Sequence, residues 1–138
     1  MNGMNGATQR DAPLSGPALA RRDRGARAHA SGQAAEDQVL AAYERRGYRL
    51  VARRWRGRAG EIDLVLRTGE TVVFVEVKRA RDIDRAAARI TPRQIARIFG
   101  AVDEFLGGEP AGALTDIRLD AALVDGTGRI EIRENAFA

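Results

Sequence analysis

Cysteine is absent from the 138 residues, so neither a disulfide nor a thiolate-held metal can form. Histidine occurs once, at His29, which rules out a zinc site built from several imidazoles. A metal would therefore rest on carboxylates and carbonyl oxygens, a donor set that suits Mg²⁺ or Mn²⁺. No apolar run approaches the roughly 18 residues of a membrane span, and Arg21-Arg22 is not followed by the apolar segment of an export signal. No membrane partner is expected, and the location expected is cytoplasmic. Lysine is nearly absent as well: of 23 basic residues, 22 are arginine and the remaining one is Lys78. A surface cation tolerates either residue, but a compact ammonium with a tunable pKa has no arginine substitute. The position of that lysine is therefore informative.

What is present describes one domain with an ordinary hydrophobic fraction of 44%. Residues 1–28 are rich in Gly, Ala, Pro and Arg without apolar periodicity. They are expected to form a disordered tail before a domain at 29–138. Met1-Asn2-Gly3 recurs as Met4-Asn5-Gly6, which makes the start codon ambiguous. The net charge of +4 lies mostly in the tail, so bulk charge says little about nucleic acid. Its local distribution says more. Residues 45–58 carry seven arginines and no acid, with Tyr48 and Trp55 interleaved. Arginine binds phosphate and aromatic rings stack on bases; equally, this could be a solvated strand face with Trp55 in the core. Arg53, Arg54, Arg56 and Arg58 are candidate nucleic-acid contacts, joined by Arg93 and Arg97 further along.

Periodicity predicts the order αβββαββ. A helix from Gly32 to Arg46 has Ser31 as N-cap and Gly47 as its stop, with Glu36, Val39, Leu40 and Tyr43 on one face. A carboxylate on that apolar face must be paired or ligating, unless it merely complements the helix dipole. Strands follow at Tyr48–Trp55, Glu61–Arg67 and Thr71–Lys78, the third apolar on both faces and therefore central. Residues 79–90 read as a charged loop with a helical stretch. Thr91 caps a second helix with the stripe Ile95, Ile98, Phe99, Val102 and Leu106. Strands at 115–124 and 129–133 complete a mixed α/β sheet, with a parallel crossover through the second helix.

If strands two and three form a hairpin, a two-residue loop pairs residues summing to 137 and a four-residue loop those summing to 139. Both registers set Asp63, Glu76 and Lys78 on one face, and the second sets Asp63 directly opposite Glu76. Two such acids repel unless a cation lies between them. The carbonyl of Val77 could be a further ligand, and Lys78 lies two residues along, placed to act on a water. The alternative is a salt-bridged set on a solvated strand.

Gly60-Glu61-Ile62-Asp63-Leu64 followed by Val73-Phe74-Val75-Glu76-Val77-Lys78 resembles the PD-(D/E)XK nuclease superfamily. The likeness is to its YraN-like branch, bacterial proteins similar to archaeal Holliday junction resolvases. It spans residues 32–138 through Gly32-Gln33-Ala34-Ala35-Glu36, Gly47-Tyr48, Trp55-Arg56, Thr91-Pro92-Arg93, Arg118-Leu119-Asp120 and Glu134-Asn135-Ala136-Phe137. The resemblance implies a restriction-endonuclease-like core with Glu36, Asp63, Glu76 and Lys78 as active-site positions. Two positions depart from the family pattern: Gln94 where such proteins usually have lysine, and Arg54 where they usually have asparagine. Gln94 can still bond a phosphate or a water.

The sequence thus nominates Lys78, Glu36 and Gln94 as catalytic and Asp63, Glu76 and Val77 as metal ligands. It implies a Mg²⁺- or Mn²⁺-dependent endonuclease on DNA, branched DNA included. DNA ranks ahead of RNA as partner, and a homodimer is left open. A non-cleaving nucleic-acid-binding module of the same fold is the first alternative. An interaction protein whose arginine-rich tail docks on an acidic partner is the second.

Overall fold

The computed structural model describes residues 32–137. The expected tail and the Ser31 cap lie outside the described residues. Helix α1 occupies residues 32–45 and ends at Gly47, whose φ of 88° no residue with a Cβ adopts cheaply. Strands β1 (Arg49–Arg56), β2 (Glu61–Thr68) and β3 (Thr71–Arg79) form an antiparallel meander. Helices α2 (Ile83–Ala88) and α3 (Pro92–Leu106) and a short 3₁₀ turn (Gly112–Leu114) carry the chain across to β4 (Ile117–Val124). That strand lies parallel to β3, and β5 (Ile130–Arg133) closes the edge against β4. The sheet order is β1-β2-β3-β4-β5. This is an α/β fold with a mixed five-stranded sheet between helices, compatible with a restriction-endonuclease-like core. No helix among the described residues is long and apolar enough to cross a membrane.

Alternation on β3 sorts the core into two layers. Val73 and Val75, with Leu64, Leu66, Ala122 and Val124, bury Ala35, Val39 and Tyr43 of α1. Val72 and Phe74, with Ile62, Val65 and Leu119, bury Ile98, Ala101, Val102 and Leu106 of α3. Ordinary sheet alternation would keep Ile62 and Leu64 on one face, yet they serve opposite layers. The same switch separates Arg53, bonded to α1, from Trp55, packed on α3. It falls at Arg54, which lies opposite Asp63 and takes a left-handed φ of 50°. One left-handed residue reverses the parity of a strand, so the tip of the β1–β2 hairpin turns over onto α3. There Glu104 accepts the N–H groups of Arg58 and Ala59 and pins the turn.

Three sequence expectations are revised. The 79–90 segment holds a helix of its own, α2, capped by the Asp82 carboxylate, so the order is αβββααββ. Phe99 is 42% exposed, and Ala101 takes the stripe position expected of it. The β2–β3 connection has two residues, Gly69 and Glu70, yet the register sums to 139, because β2 runs on to Thr68, one residue past its expected end, while β3 starts at Thr71 as expected.

Charge is also buried away from the hairpin. Asp120 is fully buried, accepting bonds from Tyr43 Oη at 2.8 Å, Arg118 Nε at 2.9 Å and the Asn135 N–H at 3.0 Å. Burial, followed by the Asp120 charge, holds the Tyr43 hydroxyl far above its usual pKa, so it stays a donor. Tyr43→Phe should lower unfolding free energy by about 1–3 kcal/mol, because a buried carboxylate oxygen loses a donor. Denaturant unfolding checks this, and an unchanged midpoint would show that Arg118 and the Asn135 N–H suffice for Asp120.

Candidate active site

The β2–β3 ladder ends at Leu64↔Val75. Continued, it would join the Val77 N–H to the Ile62 carbonyl. Instead Val77 donates to Asp63 Oδ2 at 2.7 Å, so a side chain caps the ladder and the strands separate beyond it. In an extended strand the N–H and C=O of one residue point the same way. The Val77 carbonyl is thus directed to the same side as Asp63.

Glu76 stands in the resulting notch and is buried, at 6% exposure. Its Oε2 accepts from Gln94 Nε2 at 2.7 Å and lies 3.3 Å from Lys78 Nζ. Gln94 reaches it because Thr91 caps α3 through the Gln94 N–H and so aims the first turn at β3. Glu36, buried on α1, receives Arg54 Nε at 3.2 Å and Arg53 at 3.5 Å, both on Oε1. Each of the three acids is thus fixed through one oxygen. Asp63 Oδ1, Glu76 Oε1 and Glu36 Oε2 receive no N–H donor among the described residues, although Asp63 and Glu76 hydrogen-bond each other.

The electrostatics follow from burial. Desolvation pushes the Asp63 carboxyl up, with the Val77 N–H pulling it down and the Glu36 charge pushing further up. Desolvation, then the charge of Asp63, pushes Glu76 up to about 8, with Lys78 opposing. Two acids this close do not ionise together cheaply without a cation. Among the described residues no three His, Cys, Asp or Glu side chains gather tightly enough to form a metal cage. A cation would therefore rest on Asp63 and Glu76, supplemented by a carbonyl, water or a substrate phosphate. Mg²⁺ is commonly held in that manner.

The structure thus brings together Asp63, Glu76, Lys78 and Gln94, with Val77 in the same notch and Glu36 close enough to be felt by Asp63. The arginines divide. Arg53 is paired with Asp37 and Glu36, Arg54 with Glu36, and Arg56 with Glu61. Arg58, Arg93 and Arg97 are exposed and have no acid within ion-pair distance among the described residues. Trp55 and Tyr48 are half-buried: Trp55 meets Phe105 edge-on at 5.5 Å, and Tyr48 meets Tyr43 at 5.0 Å. Both rings pack within the fold, so stacking on bases draws no support from them. Asp37, which holds Arg53, was not singled out by sequence reasoning, because nothing in the order of residues marks an exposed helical acid as the partner of a strand 16 residues away.

The sequence model of a family described as Uncharacterised protein family UPF0102 matches residues 35–124, a span containing every acid of the site together with Lys78 and Gln94. The chain belongs to this family. A UPF0102 protein of Ruegeria pomeroyi is 62% identical over 114 residues, covering 83% of this chain and 93% of the relative. One from Cereibacter sphaeroides is 57% identical over 110 residues, covering 80% and 94%. One from Dinoroseobacter shibae is 44% identical over 122 residues, covering 88% and 91%. These UPF0102 relatives match over nearly their whole lengths, so the described fold is the body of the family and not an appended module.

The raised Glu76 sets a pH dependence. A carboxyl raised from 4.5 to about 8 contributes stability that is complete below pH 4.5 and lost as the pH rises through 8. In chelator, Glu76→Gln should remove that loss and melt higher than wild type at pH 8 by several degrees, each kcal/mol being worth about 4–8 °C in a domain of this size. Thermal melts from pH 4.5 to 8.5 check this. Parallel profiles for the two proteins would place the buried, uncompensated acid elsewhere.

Proposed function

We propose that this protein is a Mg²⁺- or Mn²⁺-dependent nuclease of the PD-(D/E)XK type that hydrolyses phosphodiester bonds in DNA. One observation carries the reading: where β2 leaves β3, the half-buried Asp63, the buried Glu76 and the chain's single lysine share one notch, with Lys78 Nζ 3.3 Å from Glu76 Oε2. Asp63 and Glu76 would hold the cation, joined by the Val77 carbonyl on the same side. When bound, a divalent ion supplies charge neutralisation at the phosphoryl group and acidifies a water. The chain's residues do the rest. Val77 N–H locks the Asp63 rotamer, and Gln94 locks that of Glu76. Lys78, three-quarters buried, keeps an ammonium at the mouth of the notch, where it can hold an attacking water or an oxygen of the pentacovalent phosphorus. The exposed Arg58, Arg93 and Arg97 are the candidate phosphate contacts.

One observation favours a second reading, a nucleic-acid-binding module of the same fold that does not cut. Gln94 already occupies Glu76 Oε2 at 2.7 Å and brings no charge to the site. Calorimetry separates the two. A nuclease should bind one or two Mn²⁺ and lose them in Asp63→Ala, and Mn²⁺ should raise the melting temperature by mass action. On supercoiled and four-way-junction DNA with Mn²⁺, Lys78→Arg should fold normally yet cleave on the order of 10²-fold more slowly or worse, because a wide guanidinium cannot replace a positioned ammonium. Equal cleavage by wild type and Lys78→Arg would remove the catalytic role of the lysine. Binding of DNA without Mn²⁺ binding or cleavage would establish the non-cutting module.

A further inference from the structure

Beside Glu36, a cleft of about 350 Å³ opens between α1 and β1, lined by Gln33, Asp37, Arg53 and Arg54. Its two guanidinium groups are about one-third exposed, at 36% and 37%. Both reach inward to the same carboxylate oxygen, Glu36 Oε1, and Arg53 also bonds Asp37 at 2.8 Å. Arg54 does so from a left-handed backbone at φ 50°, a conformation that a residue with a long side chain keeps only when its surroundings over-determine it. Glu36, the acid that both arginines hold, has a second oxygen that receives no donor among the described residues, and its charge is felt by Asp63.

We infer that this cleft is a subsite for a backbone phosphate of the nucleic-acid strand, and that filling it releases Glu36 from Arg53 and Arg54 to the Asp63–Glu76 site. The inference rests on the nuclease reading and adds a regulatory link to it. A phosphodiester offers two anionic oxygens in the geometry a guanidinium fork matches. Against it stands the Arg53–Asp37 pair, exposed on both sides and thus held by little free energy. When the guanidiniums turn outward to phosphate, Glu36 becomes a buried carboxylate without a counter-charge, within reach of the charge of Asp63. That state is unfavourable until a cation arrives. The strand and the divalent ion therefore bind cooperatively. In the free protein the arginines satisfy Glu36, so the acids do not assemble a full cation site until substrate is present.

The test uses a short oligothymidylate and Mn²⁺, with binding as the readout. Without metal, Arg53→Gln/Arg54→Asn should weaken oligonucleotide binding about tenfold and flatten the slope of log K against log salt by about 1.4, at roughly 0.7 per lost phosphate contact on a single strand. Asparagine takes left-handed backbone readily, so the strand reversal survives. Asp37→Asn, which frees Arg53, should tighten binding. Saturating oligonucleotide should raise the Mn²⁺ affinity of wild type about fivefold or more, and Mn²⁺ should raise oligonucleotide affinity by the same factor. Glu36→Gln, which frees both arginines, should likewise tighten oligonucleotide binding without metal and lose that coupling. Unchanged oligonucleotide binding in the double variant overturns the subsite. Inorganic phosphate binding as tightly as the oligonucleotide overturns its assignment to a strand. Equal Mn²⁺ affinity with and without oligonucleotide overturns the coupling while leaving the nuclease reading intact, whereas no Mn²⁺ binding in either condition overturns both.

Discussion

Asp63 Oδ2 takes the Val77 N–H at 2.7 Å, and the rest of the site depends on that bond. A sheet that simply continued would pair Val77 with Ile62, and the notch would be filled by ladder. A strand that simply stopped would leave the Val77 N–H buried without a partner, at a cost of about 1–3 kcal/mol. The carboxylate resolves the conflict by ending the ladder and satisfying the donor together. The separation it produces leaves room between β2 and β3 for a second acid and a lysine. It also coincides with the parity reversal at Arg54 directly across β1. The same few residues thus open the site and turn the hairpin tip onto α3.

The arrangement is unfavourable on its own terms, which is why it points to function. Burial raises Asp63 and Glu76, and the charge of Asp63 makes Glu76 harder still to ionise. A fold selected only for stability would fill this position with valine, as it does at residues 72, 73, 75 and 77. The surroundings instead fix the acids in place, with cations on Glu36 and Glu76 but no ion pair on Asp63 among the described residues. Val77, Gln94, Lys78, Arg53 and Arg54 each hold one oxygen of a carboxylate and leave the other without an N–H donor among the described residues. The stability that this site forgoes is carried by the two core layers and by the satisfied Asp120 network at the far end of α1.

Much of this was legible because it rests on short-range periodicities. Alternation along β3 and the parity of a hairpin sum were enough to put Asp63, Glu76 and Lys78 together, whichever loop length held. Helical spacing put Glu36 on the apolar face of α1. The rest depended on contacts that no local pattern encodes. The arginine run reads as one patch in the sequence, yet Arg53 and Arg54 turn to acids on α1 because Val51 forms a bulge and Arg54 reverses the strand. Neither irregularity has a glycine to announce it. Trp55 belongs to the α3 layer for the same reason. Phe99 was placed in the core by a stripe one residue too wide, where Ala101 packs instead.

The arginines also show why net charge is a poor guide to this domain's partners. Beyond the first 30 residues the chain has almost as many acids as bases, which by itself argues against a polyanion. What a polyanion meets, however, is the set of cations without an internal partner. Glu36, Asp37 and Glu61 absorb Arg53, Arg54 and Arg56, whereas Arg58, Arg93 and Arg97 carry their charge outward at the hairpin tip and on α3, the two elements that Glu104 ties together. The near-neutral total therefore conceals two populations. One steadies acids around the candidate site, and the other is free to meet phosphate beside it. In the proposed reading, a strand that competes for the first population would act on the carboxylates of the candidate site directly, which a purely electrostatic surface could not do.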